Sequence, residues 1–150
     1  MHNLINNINE DVYQNEIEIL KNNLTNSESS RKLTYCNIIN KNLAVHEIYL
    51  KIHVIPEFHR IAFTRFRVSS HSLAVETGRW NRKGRGRLPM EERLCSCGEI
   101  QNEVHVMSQC PLSQYIRDAY EFSSIDDLMS GQFSDDILCK IIYEILKVYE

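Results

Sequence analysis

No apolar run in this 150-residue chain approaches the roughly 20 residues that a membrane-spanning helix needs. The opening stretch Met1-His-Asn-Leu-Ile-Asn-Asn7 has neither a basic n-region nor an apolar core, so no secretory signal is read. Ser-His-Asp order, a Walker loop and a dinucleotide glycine motif are all missing, as is any internal repeat. The pair Asp126-Asp127 lacks a hairpin signal and a third carboxylate, so it is expected to cap a helix or face solvent, not to hold catalytic magnesium. Cysteine is odd in number, at five, and three of the five cluster with a histidine. Without a signal peptide that pattern favours metal over disulfides and an intracellular setting, nuclear or cytoplasmic.

The formal net charge of -3 conceals an asymmetry. Between residues 60 and 93 nine bases stand against three acids, a local +6 that leaves -9 for the remainder. A basic middle between acidic flanks is the pattern of a polyanion-binding surface.

Periodicity reads as mainly α. Ile5, Ile8, Val12 and Ile19 share a helical face, and a second helix runs through Leu33, Tyr35, Ile38, Ile39 and Leu43. Leu50, Ile52 and Val54 alternate like a strand in a segment that Pro56 ends. From Glu57 to Val68 a helix is predicted with Phe58, Ile61, Ala62 and Phe66 on one side and Arg60, Thr64 and Arg67 opposite. Ser69 to Ser72 follows as a polar break, and Gly78 to Pro89 as a flexible basic loop. Pro111 opens a helix carrying Leu112, Tyr115, Ile116 and Tyr120. Ser134 is the expected cap of a last helix striped by Ile137, Leu138, Ile141, Ile142, Ile145 and Leu146. Cys36, Cys139, His46, His53 and His59 read as ordinary packed or surface residues. The predicted organisation is residues 1–56 as an N-terminal helical connector, 57–93 as basic helix and loop, 94–111 as a metal knuckle, and 112–150 as C-terminal amphipathic helices.

The knuckle is the sharpest signal. Cys95, Cys97, His105 and Cys110 supply three thiolates and one imidazole, a full tetrahedral set for a structural Zn2+ with no position left for substrate. A turn at Ser96-Cys97-Gly98 brings two sulfurs together, and a short helix from about Glu103 presents the other two ligands. The site would carry formal charge -1, which Arg93 is expected to offset. One residue between the first two cysteines chelates with more strain than two. The competing reading is a set of buried free thiols.

Upstream, Arg79-Trp-Asn-Arg-Lys-Gly-Arg-Gly-Arg87 sets the single tryptophan among five cations. Arginine forks bind phosphate and an exposed indole stacks on bases. The competing reading is a solvated loop with Trp80 in the core.

The strings Arg65 to Trp80, Leu88 to Gly98, Glu103-Val-His105 and Cys110-Pro111 resemble the C-terminal tail of non-LTR retrotransposon reverse transcriptases of animals. Lys32 to Tyr35, Glu47 to Leu50 and Ile125 to Met129 extend the resemblance over residues 29 to 150. It implies a small helical domain with a zinc-binding turn-helix knuckle, gripping RNA or DNA and without catalysis of its own. The implied ligands are Cys95, Cys97, His105 and Cys110. Arg65, Arg67, Arg79 and Arg87 form the basic approach in that resemblance, and the charge pattern adds Trp80, Arg82, Lys83, Arg85 and Arg93. Many family members place two residues where Ser96 stands alone. No polymerase or endonuclease is read, so the chain is expected to be a truncated element copy or a fragmentary gene model. The alternative is a zinc-stapled protein-interaction module or a non-functional retroelement fragment, docking on a polymerase domain or a second copy through its last helix.

Overall fold

Pro56 lacks a backbone N–H and so suits the start of a helix; the first helix with described bounds, α1, runs from Glu57 to Arg67 directly behind it. The computed structural model describes residues 18, 22, 46–50, 54–79 and 86–150. The chain divides into two units, Met1–Ala44 and Val45–Glu150, and all the helices with described bounds lie in the second. Five elements succeed α1: α2 (Ala74–Thr77), α3 (Glu103–Ser108), α4 (Gln114–Tyr120), α5 (Ile125–Leu128) and α6 (Asp135–Val148), with single 3-10 turns at Glu47–Leu50, Met90–Glu92 and Pro111–Ser113. Among the described residues there is no strand, only an isolated antiparallel bridge between Leu94 and Ile100. The mainly helical class read from the sequence is what the structure has. The predicted helices before residue 45, the alternation through Ile52, and His53 and Cys36 lie outside the described residues.

The core is built on α1 against α6, the most extensive helix pair. The predicted α6 stripe is nearly all there: Ile141, Ile142 and Ile145 are completely buried and Leu138 and Leu146 nearly so. Cys139 is buried among them, and burial pushes its thiol up to about 12, an inert core cysteine as expected. Ser134 occupies the N-cap position, but its side chain makes no cap bond.

The phase of α1 differs from the predicted one. Ala62, Phe63, Phe66 and Arg67 are buried, whereas Phe58 and Ile61 remain exposed. The helix buries its C-terminal half and leaves the first turn nearer the surface, where Phe58 and His59 lie against Tyr143 of α6. Likewise Leu112, in the 3-10 turn before α4, and Tyr115 on α4 are exposed, and the buried residues of α4 are Ile116 and Arg117. Ser124 caps α5 by accepting from the Asp127 amide, and Asp127 accepts from Ser123, so the aspartate pair serves a helix start.

Candidate metal centre

The chain enters the centre through a tight hairpin. Gln101 donates its amide to the Arg93 carbonyl, and the Cys95 amide donates to Glu99. At the tip the Gly98 amide closes on the Cys95 carbonyl at 2.9 Å, with Gly98 at φ +97°, a region that glycine enters without cost. That hairpin is why a one-residue gap suffices: the reversal swings Cys95 and Cys97 toward the same point. Asn102 then caps α3, its Oδ1 accepting from the His105 amide at 2.8 Å, which fixes the turn bearing the imidazole. The Cys110 amide bonds the His105 carbonyl at 2.8 Å, so the last ligand follows directly on the helix end.

One ligand atom from each of Cys95, Cys97, His105 and Cys110 lies within 4.8 Å of the others. Cys110 Sγ stands 3.7 Å from Cys95 Sγ and 3.8 Å from Cys97 Sγ. A tetrahedral site with Zn–S bonds near 2.3 Å requires sulfur–sulfur edges of about 3.8 Å, so these sulfurs already stand at the spacing the ion demands. Cys97 Sγ and His105 Nε2 are 3.1 Å apart, a hydrogen-bond separation. Cys95, His105 and Cys110 are buried, and Cys97 is exposed. Burial lowers the His105 pKa, favouring the neutral imidazole that a metal needs. Burial raises the Cys95 thiol. At Cys110 burial acts upward too, but hydrogen bonds led by the Tyr149 hydroxyl outweigh it and the thiol falls below its usual value. The residues present therefore fit a closed Cys3His metal site, consistent with Zn2+.

The cation beside the centre is Arg117, which no local sequence pattern singles out. It is 2% exposed and donates to the Cys110 carbonyl at 2.6 Å and to Ser113 Oγ at 2.9 Å. Arg93, expected to offset the metal charge and to meet nucleic acid, is turned inward instead. It is 1% exposed, and its guanidinium donates to the Leu88 and Val75 carbonyls. Gly78 makes room for it: a Cβ there would lie 2.8 Å from Arg93 Cγ and Cδ. Burial of a guanidinium is tolerable only when carbonyls receive its protons, and only the folded neck supplies them.

Other expected nucleic-acid residues separate in the same way. Arg67 is 5% exposed and lies over the Tyr49 ring, which removes it from the basic surface. Arg79 pairs with the buried Glu76 at 3.2 Å. Arg65 and Arg87 are exposed. Trp80, Arg82, Lys83 and Arg85 lie outside the described residues. The base of this basic stretch is nevertheless defined, because the Leu88 amide donates to the Gly78 carbonyl at 2.9 Å. Gly78 and Leu88 thus meet at one point, which Arg93 ties to the start of the knuckle.

Two further links fasten the knuckle to the preceding segment. Gln101 accepts from the Ala74 amide and, through its backbone carbonyl, from that of Val75, satisfying the start of α2. His71 Nε2 lies 3.0 Å from Glu103 Oε1 in a buried pair. Burial acts to raise the Glu103 carboxyl, but the bond and charge of His71 prevail and hold it below the ordinary range. His71 belongs to what reads in sequence as a polar break, and only a residue type frequent in both surfaces and cores marked it.

Among the described residues no helix is long and apolar enough to cross a membrane. In comparisons with family models, curated proteins and solved structures, nothing matches this chain.

Proposed function

We propose that this chain is a zinc-stabilised nucleic-acid-binding module, akin to the tail of a non-LTR retrotransposon reverse transcriptase, in which the metal is structural and no reaction is carried out by the module itself. One observation supports the reading: Gly78 and Leu88, which flank a stretch of sequence with five bases and no acid, are hydrogen-bonded to each other, and Arg93 bonds the Leu88 carbonyl from the start of the knuckle. A dense basic stretch suits phosphate contact, since charge density alone attracts a polyanion. Arg65 and Arg87 are the described arginines that remain available for it; Arg67 and Arg93 are not part of the proposed surface.

Binding of this kind releases counterions. Fluorescence anisotropy with a single-stranded RNA and a duplex DNA should give log affinity falling linearly with log salt, by about 0.7 per phosphate contact for the single strand and about 0.9 for the duplex. Replacing Arg82, Arg85 and Arg87 together by alanine should reduce the slope by about 2 for the single strand and nearly 3 for the duplex. A salt-independent affinity, or none at all, refutes the proposal.

A protein-interaction module is the second reading. It draws on the exposed Phe58 and Ile61 of α1, because the apolar face of α6 is already covered within the unit.

A further inference from the structure

Just past the end of α1, Ser69 adopts φ +52°, and the Ser70 amide closes on the Arg65 carbonyl at 2.7 Å. That turn keeps Ser70, His71 and Ser72 beside Arg65, and the buried His71–Glu103 pair, at 3.0 Å, holds it in place. The result is a cleft with two adjoining halves. One, of about 270 Å3, is walled by Phe58, Ile61, Tyr143 and Leu146. The other, of about 480 Å3, is walled by Ser70 and Thr77. Arg65, His71, Ser72 and Glu150 line both.

Size and chemistry together select an occupant. Small-molecule sites run from about 300 to 1,000 Å3, so the cleft suits a single small unit and not a duplex. In the apolar half Phe58 is 53% exposed, yet its ring is held edge-on by Tyr143 at 5.1 Å and by His59 at 4.4 Å. A ring both exposed and fixed is a surface on which a flat base stacks. Arg65 lies about two turns further along the same helix, about 10 Å away. It is exposed, and its guanidinium makes no hydrogen bond or ion pair among the described residues, which leaves its fork open to a phosphate. Glu150, the acid on the lining, has Lys147 3.9 Å away, and Lys147 also lies over the Tyr143 ring at 5.6 Å. The charge left uncompensated at the cleft is therefore positive.

We propose that this cleft takes one unpaired nucleotide of a bound single strand, with its base against the Phe58 ring and a phosphate on Arg65. This rests on the nucleic-acid reading above and deepens it, adding a second contact that charge density alone does not provide: one that requires an unstacked base.

The test uses the full zinc-loaded chain and fluorescence anisotropy with a single-stranded oligonucleotide, its abasic counterpart of equal charge, and a duplex. Phe58→Ala should weaken binding of the single strand by about 5- to 150-fold, the range for one lost base–aromatic stack. The abasic strand, which has no base to stack, and the duplex, whose bases are already stacked, should bind this variant as they bind the parent. Arg65→Gln should weaken the single strand and the abasic strand alike and lower the salt slope of each by about 0.7. Tyr115→Ala removes an exposed aromatic of α4 outside the cleft and should change none of these affinities. A free nucleoside monophosphate shares the same chemistry but lacks the other phosphates, so it should displace the strand only at far higher concentration. Displacement at equal concentration would make the cleft a mononucleotide site and overturn the proposal. Equal loss in Phe58→Ala with and without bases, the mark of a structural role, also overturns it. So does parental affinity in Phe58→Ala, which leaves the cleft to a protein partner. If the parent binds none of the three probes, the nucleic-acid reading beneath the proposal has failed first.

Discussion

The knuckle between Arg93 and Arg117 and the α1–α6 pair sit in one unit but are held by opposite means. In the helix pair, buried isoleucines and phenylalanines supply cohesion through area removed from water. In the knuckle the buried groups include Arg93, Glu103, His105, Ser113 and Arg117, and what holds them is a set of directed bonds converging on carbonyls and on four ligand atoms. Packing of the first kind is tolerant of detail. Directed bonding of the second kind fails together when its centre is lost, so a bound ion would stabilise the knuckle far more than the helix pair.

The largest expected effect comes from removing that ion. Stripping zinc, or replacing Cys110 by serine, should forfeit about 10 kcal/mol of apparent binding free energy available to a structural site. Hydrogen exchange should then show protection lost at 93–113 and retained at the middle of α6. Uniform loss across both regions would erase the distinction between them. Next comes Ile142→Ala, a fully buried side chain, expected to cost about 2–5 kcal/mol in chemical denaturation. Its cost should be similar with and without metal, because what it removes is apolar burial and not a directed bond.

Arg93→Ala should cost about 1–3 kcal/mol, since it leaves the Leu88 and Val75 carbonyls without their donor. Here the effect should be present in the metal-loaded protein and vanish after chelation, when the knuckle is already open; a full cost in both states would place Arg93 in the apolar half instead. The smallest expected change is Asn102→Ala, about 1 kcal/mol for the lost cap. Because that cap holds the turn bearing His105, the same variant should also weaken zinc binding in a chelator competition, whereas Ser124→Ala, at the cap of α5, should not.

Much of the metal site was legible because ligand chemistry is written in residue types. Cys95, Cys97, His105 and Cys110 are close in the chain, and Gly98 marks the reversal between them. The α6 stripe was legible for a similar local reason, a clean helical period over apolar residues. The arginines were not. Arg65, Arg67, Arg93 and Arg117 look alike in sequence, yet two lie against backbone carbonyls, one over the Tyr49 ring, and one in solvent. Nor was the phase of α1, since Phe58 and Phe66 fit one face equally well until α6 covers only part of it. Gln101 carried no signal at all; its use at the start of α2 depends on a contact 27 residues away along the chain.

By itself the sequence determined a mainly helical chain, the four ligand residues and the basic segment above them, because helical period, thiol and imidazole chemistry, and charge are properties of short stretches. The tertiary structure decided which cations are buried, which face of α1 is covered and what satisfies the start of α2. Those outcomes hang on acceptors and donors from distant residues, Leu88 and Val75 for Arg93 and Gln101 for the amides of Ala74 and Val75, and no local pattern states where such partners will meet.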